Sequence, residues 1–120
     1  MSRIGVISLG CAKNLVDTER MLGLLRAAGH TFVSAPAEAD VLIVNTCGFI
    51  EPAKQESIDT ILEMAAYKRT GRCRLLVATG CLTERYRKEL AEAMPEIDLL
   101  LGVREYDRLP GLIARALALP

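Results

Sequence analysis

VLIVNTCG, residues 41–48, is the stretch whose reading decides the fold. Val41 to Val44 run as four aliphatic residues with no polar alternation, the pattern of a strand covered on both faces in a parallel sheet. The run closes on Asn45, Thr46 and the pair Cys47-Gly48. A small residue beside a thiol lets the chain turn sharply and lets backbone N–H groups approach whatever the sulfur holds. The same figure occurs twice more, where Ile4 to Leu9 ends at Gly10-Cys11 and Leu75 to Thr79 ends at Gly80-Cys81. A helix-like segment follows each. All three thiols therefore belong at carboxyl ends of strands, where open α/β sheets bind ligands.

Working outward, a first strand over Arg3 to Leu9 leads to a helix from about Asn14 to Ala28, with Leu15, Leu22 and Leu25 on one face and Gly29 as its stop. Thr31 to Ser34 reads as a second strand and Val41 to Thr46 as the third. Glu51-Pro52 opens the next helix, proline being tolerated in a first turn, and Ile58, Ile61, Leu62 and Ala65 form its inward face. A polar turn ends at Gly71 and Arg72. Cys73 to Thr79 is the fourth strand, and Thr83 is placed to cap a helix that packs through Tyr86, Leu90 and Met94. Ile97 to Leu101 is the fifth. A last helix starts near Asp107, takes Pro110 in its first turn, and buries Leu109, Leu112, Ile113 and Ala116.

Strands alternating with helices predict a doubly wound, flavodoxin-like α/β domain: five parallel strands in the order 2-1-3-4-5, with helices on both faces. That order makes strands one, three and four neighbours at about 4.8 Å spacing, so the corners carrying Cys11, Cys47 and Cys81 can converge. Cys73 begins the fourth strand, at the opposite edge.

The chain has 120 residues, 51% hydrophobic and 25% charged, which suits one domain with a real core. Fifteen basic residues balance fifteen acidic ones, so no overall field draws it to nucleic acid or an anionic membrane. The N-terminus enters a β-branched run without a signal-peptide cleavage site, and no apolar run reaches the roughly 18 residues that span a bilayer. A cytoplasmic protein is expected, in which four cysteines are metal-binding or catalytic rather than disulfide-bonded.

Thiolates bind iron and zinc, and each of the three precedes a helix start, where free N–H groups favour negative charge. Three thiolates on a cubane leave one iron without a protein ligand, which distinguishes a working centre from a sealed one. Small cysteines also pack strand ends with no metal at all, and C-x-x-C pairs are absent, so the spacing by itself leaves both readings open.

The motifs GCAKNLVDTE, VNTCGFI, PAKQESIDTILE and ATGCLTERY resemble the N-terminal domain of the methylthiotransferases, a family of radical S-adenosylmethionine enzymes, over nearly the whole chain. The resemblance implies an auxiliary 4Fe-4S cluster held by Cys11, Cys47 and Cys81, with Cys73 in no motif. SLGC followed by KN, and NTC followed by GFI, look like the branch that modifies an aspartate of small-subunit ribosomal protein S-twelve. The tRNA-modifying branch is the alternative. Ala12 departs from the proline most often expected between GC and KN, and contributes no side-chain ligand. The family's C-x-x-x-C-x-x-C motif, which holds the cluster that cleaves S-adenosylmethionine, has no counterpart here, nor does its C-terminal substrate-binding domain. The resemblance thus implies one domain of a longer enzyme, a domain that handles sulfur and does not turn over alone. In the whole enzyme it implies transfer of a methylthio group to the aspartate β-carbon, with the protein's own radical domain and S-twelve as partners.

Asn14, Asp17 and Glu19 match the family's N-x-x-D-[ST]-E, and read more simply as capping and first-turn acidity. Asn45 and Thr46 either send polar groups toward a cluster or satisfy backbone in the corner. His30 reads as a solvent-facing loop residue, and Lys68, Arg69, Arg72 and Arg74 form a basic run that could meet a partner domain or ribosomal RNA but reads more simply as a solvated turn. Other classes fit less well. Flavin binding wants a Ser/Thr-rich first loop and aromatics, but the loop is GCAKN and aromatics are 4%. A receiver domain needs an aspartate where Cys47 stands, and a structural zinc site lacks a fourth ligand in any motif.

Overall fold

The computed structural model describes residues 2–9, 12–46, 51–102 and 105–118, with residues 12–17 and 51–53 described only by their place in helices. Strands β1 (Arg3–Ser8), β2 (Thr31–Phe32), β3 (Val41–Thr46), β4 (Leu75–Gly80) and β5 (Leu99–Leu101) form one sheet in the order β2-β1-β3-β4-β5. Every neighbouring pair is parallel. The helices are α1 (Ala12–Ala27), α2 (Glu51–Ala65), α3 (Tyr67–Thr70), α4 (Cys81–Ala93) and α5 (Leu109–Ala118), with short 3-10 turns at Pro36–Glu38 and Tyr106–Arg108. This is the flavodoxin-like doubly wound topology expected from the alternation.

β3 and β4 are buried at every residue, as continuous apolar runs in a parallel sheet must be. Their alternate side chains feed two cores. Val41, Ile43, Leu75 and Val77 pack with Met21 and Leu25 of α1 and Leu109 and Ile113 of α5. Leu42, Val44, Leu76 and Ala78 pack on the other face with Ile61 and Met64 of α2 and Leu82 and Leu90 of α4. α1 stops where expected: Gly29, at φ 96°, accepts the left-handed turn, His30 N donates to Leu25 O and Gly29 N to Arg26 O.

The structure corrects several expectations. β2 has two residues and β5 three, shorter than the stretches expected. β4 starts at Leu75, so Cys73 precedes the strand. Leu62 is 48% exposed, and Met64 takes the inward place on α2. Leu22 is only half-buried while Met21 is fully buried; the side chain of Leu15 lies outside the described residues. α3 forms within the segment expected to be a turn. Thr83 does not cap α4, which starts two residues earlier, with Gly80 at the cap position and no side-chain cap. The helix kinks at Tyr86 (φ −122°, ψ 31°). Among the described residues no helix is long and apolar enough to cross a membrane.

Candidate functional site

At the carboxyl edge, β1, β3 and β4 end together. Ser8 pairs with Asn45, Asn45 with Thr79, and Thr46 with Gly80. The chain reaches Cys11 three residues past Ser8, Cys47 one past Thr46 and Cys81 one past Gly80. Cys81 opens α4 and is half-buried. Cys11 and Cys47 lie outside the described residues, so topology brings their strand ends to one edge without describing the thiols themselves.

Gly80 makes the β4 corner possible. Its backbone (φ 99°, ψ −164°) lies in a region essentially reserved for glycine. A Cβ there would stand 2.5 Å from Thr46 O and 2.9 Å from Thr46 N. β4 therefore turns into α4 pressed against the end of β3, and the first-turn N–H groups of α4 sit where negative charge is favoured.

Beneath this edge lies a polar network that reading the sequence did not find. Asn45, fully buried, donates through Nδ2 to Thr18 Oγ1 (2.8 Å), and Thr18 Oγ1 donates to Ser8 Oγ (2.9 Å). Asn45 Oδ1 accepts from Thr79 Oγ1 and from the Tyr106 hydroxyl, both at 3.3 Å. A signal was present: the rows Ile4-Val6-Ser8, Val41-Ile43-Asn45 and Leu75-Val77-Thr79 all turn polar at one register. Thr46 has the other role foreseen for it, its hydroxyl donating to Thr79 O at 2.6 Å and holding the corner backbone. Thr83 is fully buried, and its hydroxyl is the one buried side-chain oxygen or nitrogen without a hydrogen-bond partner among the described residues.

Cys73 is buried at the far edge, its Sγ donating to Leu75 O, and burial pushes its thiol pKa up. The side chains of Asn14 and Asp17 lie outside the described residues, and Glu19 is exposed. His30 corrects the expectation of a free loop residue: it is half-buried, and Nδ1 accepts from Ser2 N at 3.3 Å. The basic run makes contacts within the chain. Lys68 binds Asp98 Oδ2 (2.7 Å) and Glu96 O, Arg72 meets Asp40 at 3.7 Å, and Arg74 donates to Leu117 O.

Residues 3–102 match the model of a family described as uncharacterized protein family UPF0004. The chain belongs to that family. This UPF0004 domain is 57% identical over 116 residues to a protein of Symbiobacterium thermophilum named ribosomal protein uS12 methylthiotransferase RimO, covering 97% of the chain and 24% of the relative. Proteins of the same name from Solibacter usitatus and Clostridium perfringens strain SM101 are 59% and 58% identical, over 88% and 89% of the chain and 23% and 24% of their own lengths. The chain thus spans about a quarter of the length of these relatives. Their names agree with the S-twelve branch that SLGC…KN and NTCGFI resemble.

Proposed function

We propose that this UPF0004 domain holds a 4Fe-4S cluster through Cys11, Cys47 and Cys81, as part of a cytoplasmic enzyme that methylthiolates an aspartate of ribosomal protein uS12. S-adenosylmethionine and a second 4Fe-4S cluster belong, in this reading, to a radical domain that the aligned quarter does not span. The observation that carries the proposal is the register of the strand ends. Ser8, Asn45 and Thr79 lie side by side, and Thr46 pairs with Gly80, so the three cysteine-bearing corners leave one edge from adjacent strands.

The donor set fits the group, because thiolates are the usual ligands of iron–sulfur clusters. Gly80 adds to the fit, since its missing side chain lets β4 turn against Thr46. When bound, the cluster supplies an iron without a protein ligand, where sulfur can be held for transfer. This chain's own residues bind and orient. Cys81 is presented by the opening turn of α4, whose N–H groups favour the negative charge of a thiolate and its ligand. Thr46 fixes the end of β3 through its bond to Thr79 O, and so sets where the chain departs toward Cys47. Cys73 has no part in the site.

Mass spectrometry of uS12 tests the function, in cells whose only copy of the full-length protein carries Cys81→Ser. The expected result is an unmodified aspartate, against a methylthiolated one with the wild-type gene. Persistent modification with Cys81→Ser, or a wild-type modification found on tRNA instead of uS12, contradicts the proposal.

A further inference from the structure

The three strands that end at the candidate site stop being apolar at the same register, and one buried amide joins them. Asn45 reaches β1 and α1 through Thr18 and Ser8, reaches β4 through Thr79, and reaches the turn after β5 through Tyr106. α1 begins at Ala12, directly after Cys11; β3 ends directly before Cys47; β4 ends directly before Cys81. A single side chain thus bonds to every element from which a candidate ligand departs.

Stability alone gives little reason for this arrangement, since a buried polar network replaced by aliphatic residues of like shape is often neutral or more stable. Directional bonds do something an aliphatic core does not: they specify one arrangement of the elements they join. In the two rows below, Val6 with Ile43 and Val77, and Ile4 with Val41 and Leu75, the backbone ladder is the same but the side chains meet through shape alone. Only the last row, next to the corners, is pinned by donors and acceptors.

We propose that Asn45 is a positioning residue, holding the corners of Cys11, Cys47 and Cys81 at the spacing that one shared ligand requires; this rests on the cluster reading above. Asn45 touches neither ligand nor substrate in this account. Its Nδ2 must donate to Thr18 while its Oδ1 accepts from two hydroxyls, a division that neither aspartate nor leucine reproduces.

The test uses the chain as wild type and as Asn45→Asp, Thr18→Val and Thr18→Ser, reconstituted anaerobically with iron and sulfide. Circular dichroism checks that each is folded. Electron paramagnetic resonance of the reduced cluster and the rate of iron release to a chelator are then compared. Asn45→Asp and Thr18→Val should release iron faster, by about the tenfold to hundredfold that losing an orienting partner costs in metal affinity, and should alter the resonance. Thr18→Ser, which keeps the hydroxyl, should restore both. A folded Asn45→Asp or Thr18→Val with wild-type resonance and release rate overturns the proposal. Should Asn45→Asp fail to fold, the Thr18 pair decides it. If the wild type takes up no iron, it is the cluster reading that fails. The positioning role is then read from bridging of the apo thiols by dibromobimane: a lower yield in Asn45→Asp and Thr18→Val than in the wild type and Thr18→Ser supports it, and an unchanged yield overturns it.

Discussion

Gly80 lies so close to Thr46 that a Cβ on the glycine would stand 2.5 Å from the Thr46 carbonyl oxygen, nearer than real side chains approach. The contact joins the end of β4 to the end of β3 at the point from which the chain continues to Cys47 and Cys81. Gly80→Ala meets two obstacles, the steric conflict with backbone and a φ of 99° that side chains rarely adopt. We expect a loss of about 3 kcal/mol or more in urea unfolding. An unchanged midpoint would show that the corner relaxes freely.

Thr83 carries a buried hydroxyl with no partner among the described residues, and burying such a group costs desolvation. Thr83→Val keeps the shape and removes the oxygen. Its stability should be unchanged or higher by up to about 1 kcal/mol, whereas Thr83→Ser, which keeps the oxygen and loses a methyl, should be lower by about 1 kcal/mol. A destabilised Thr83→Val would mean that the hydroxyl has a partner in the folded protein.

His30 has its pKa lowered, first by burial and then by the positive N-terminus. The folded state thus prefers the neutral ring, which accepts from Ser2 N. For a lowered histidine the unfolded chain binds the proton more readily, so this contribution is neutral above the unfolded value of 6.5 and becomes a penalty as pH falls through it. Stability should decline below that value in the wild type, and by less in His30→Gln. Identical pH profiles for the two would contradict the assignment.

Glu105 titrates in the other direction. The Gly102 N–H holds its carboxyl below the usual value of 4.5, against a partial opposition from burial, and Arg87 and Arg108 add to the lowering. Its contribution is present above 4.5 and is lost as pH falls through the folded pKa. Glu105→Gln should flatten the acid limb of stability below that point while leaving the limb governed by His30.

Cys73 offers a direct contrast with Cys81. It is 5% exposed, its thiol pKa is pushed up by burial, and the thiolate is the reactive form. Iodoacetamide near neutral pH should label Cys81 in the native apo protein and leave Cys73 unmodified until urea unfolds the chain. Labelling of Cys73 at the rate of Cys81 would contradict its burial.

The order of the sheet was legible because β3 and β4 declare themselves as strands buried on both faces, and the right-handed crossover rule leaves few ways to arrange the rest. Helix faces were less legible where neighbouring apolar residues compete, as with Leu62 against Met64, since only packing decides which turns inward. Thr83 misled because a threonine near a helix start looks like a cap, whereas Gly80 already turns the chain directly before Cys81, which stands two residues ahead of Thr83. The Asn45 network was hidden for a different reason. Ser8, Asn45 and Thr79 are brought together by strand register, and Thr18 and Tyr106 join them only through the packing of α1 and of the turn before α5 on the sheet. The three candidate thiols were visible as residues beside glycine, and of the three the described residues include Cys81 alone.

The central claim is that three of the four cysteines hold one cluster, and counting iron tests it most directly. The chain is reconstituted anaerobically with iron and sulfide as wild type and with Cys→Ser at Cys11, Cys47, Cys73 and Cys81 in turn. The account predicts about four irons per chain in the wild type and in Cys73→Ser, with the count collapsing for each of the other three. No iron in the wild type, or a loss at Cys73 equal to that at Cys81, would contradict it.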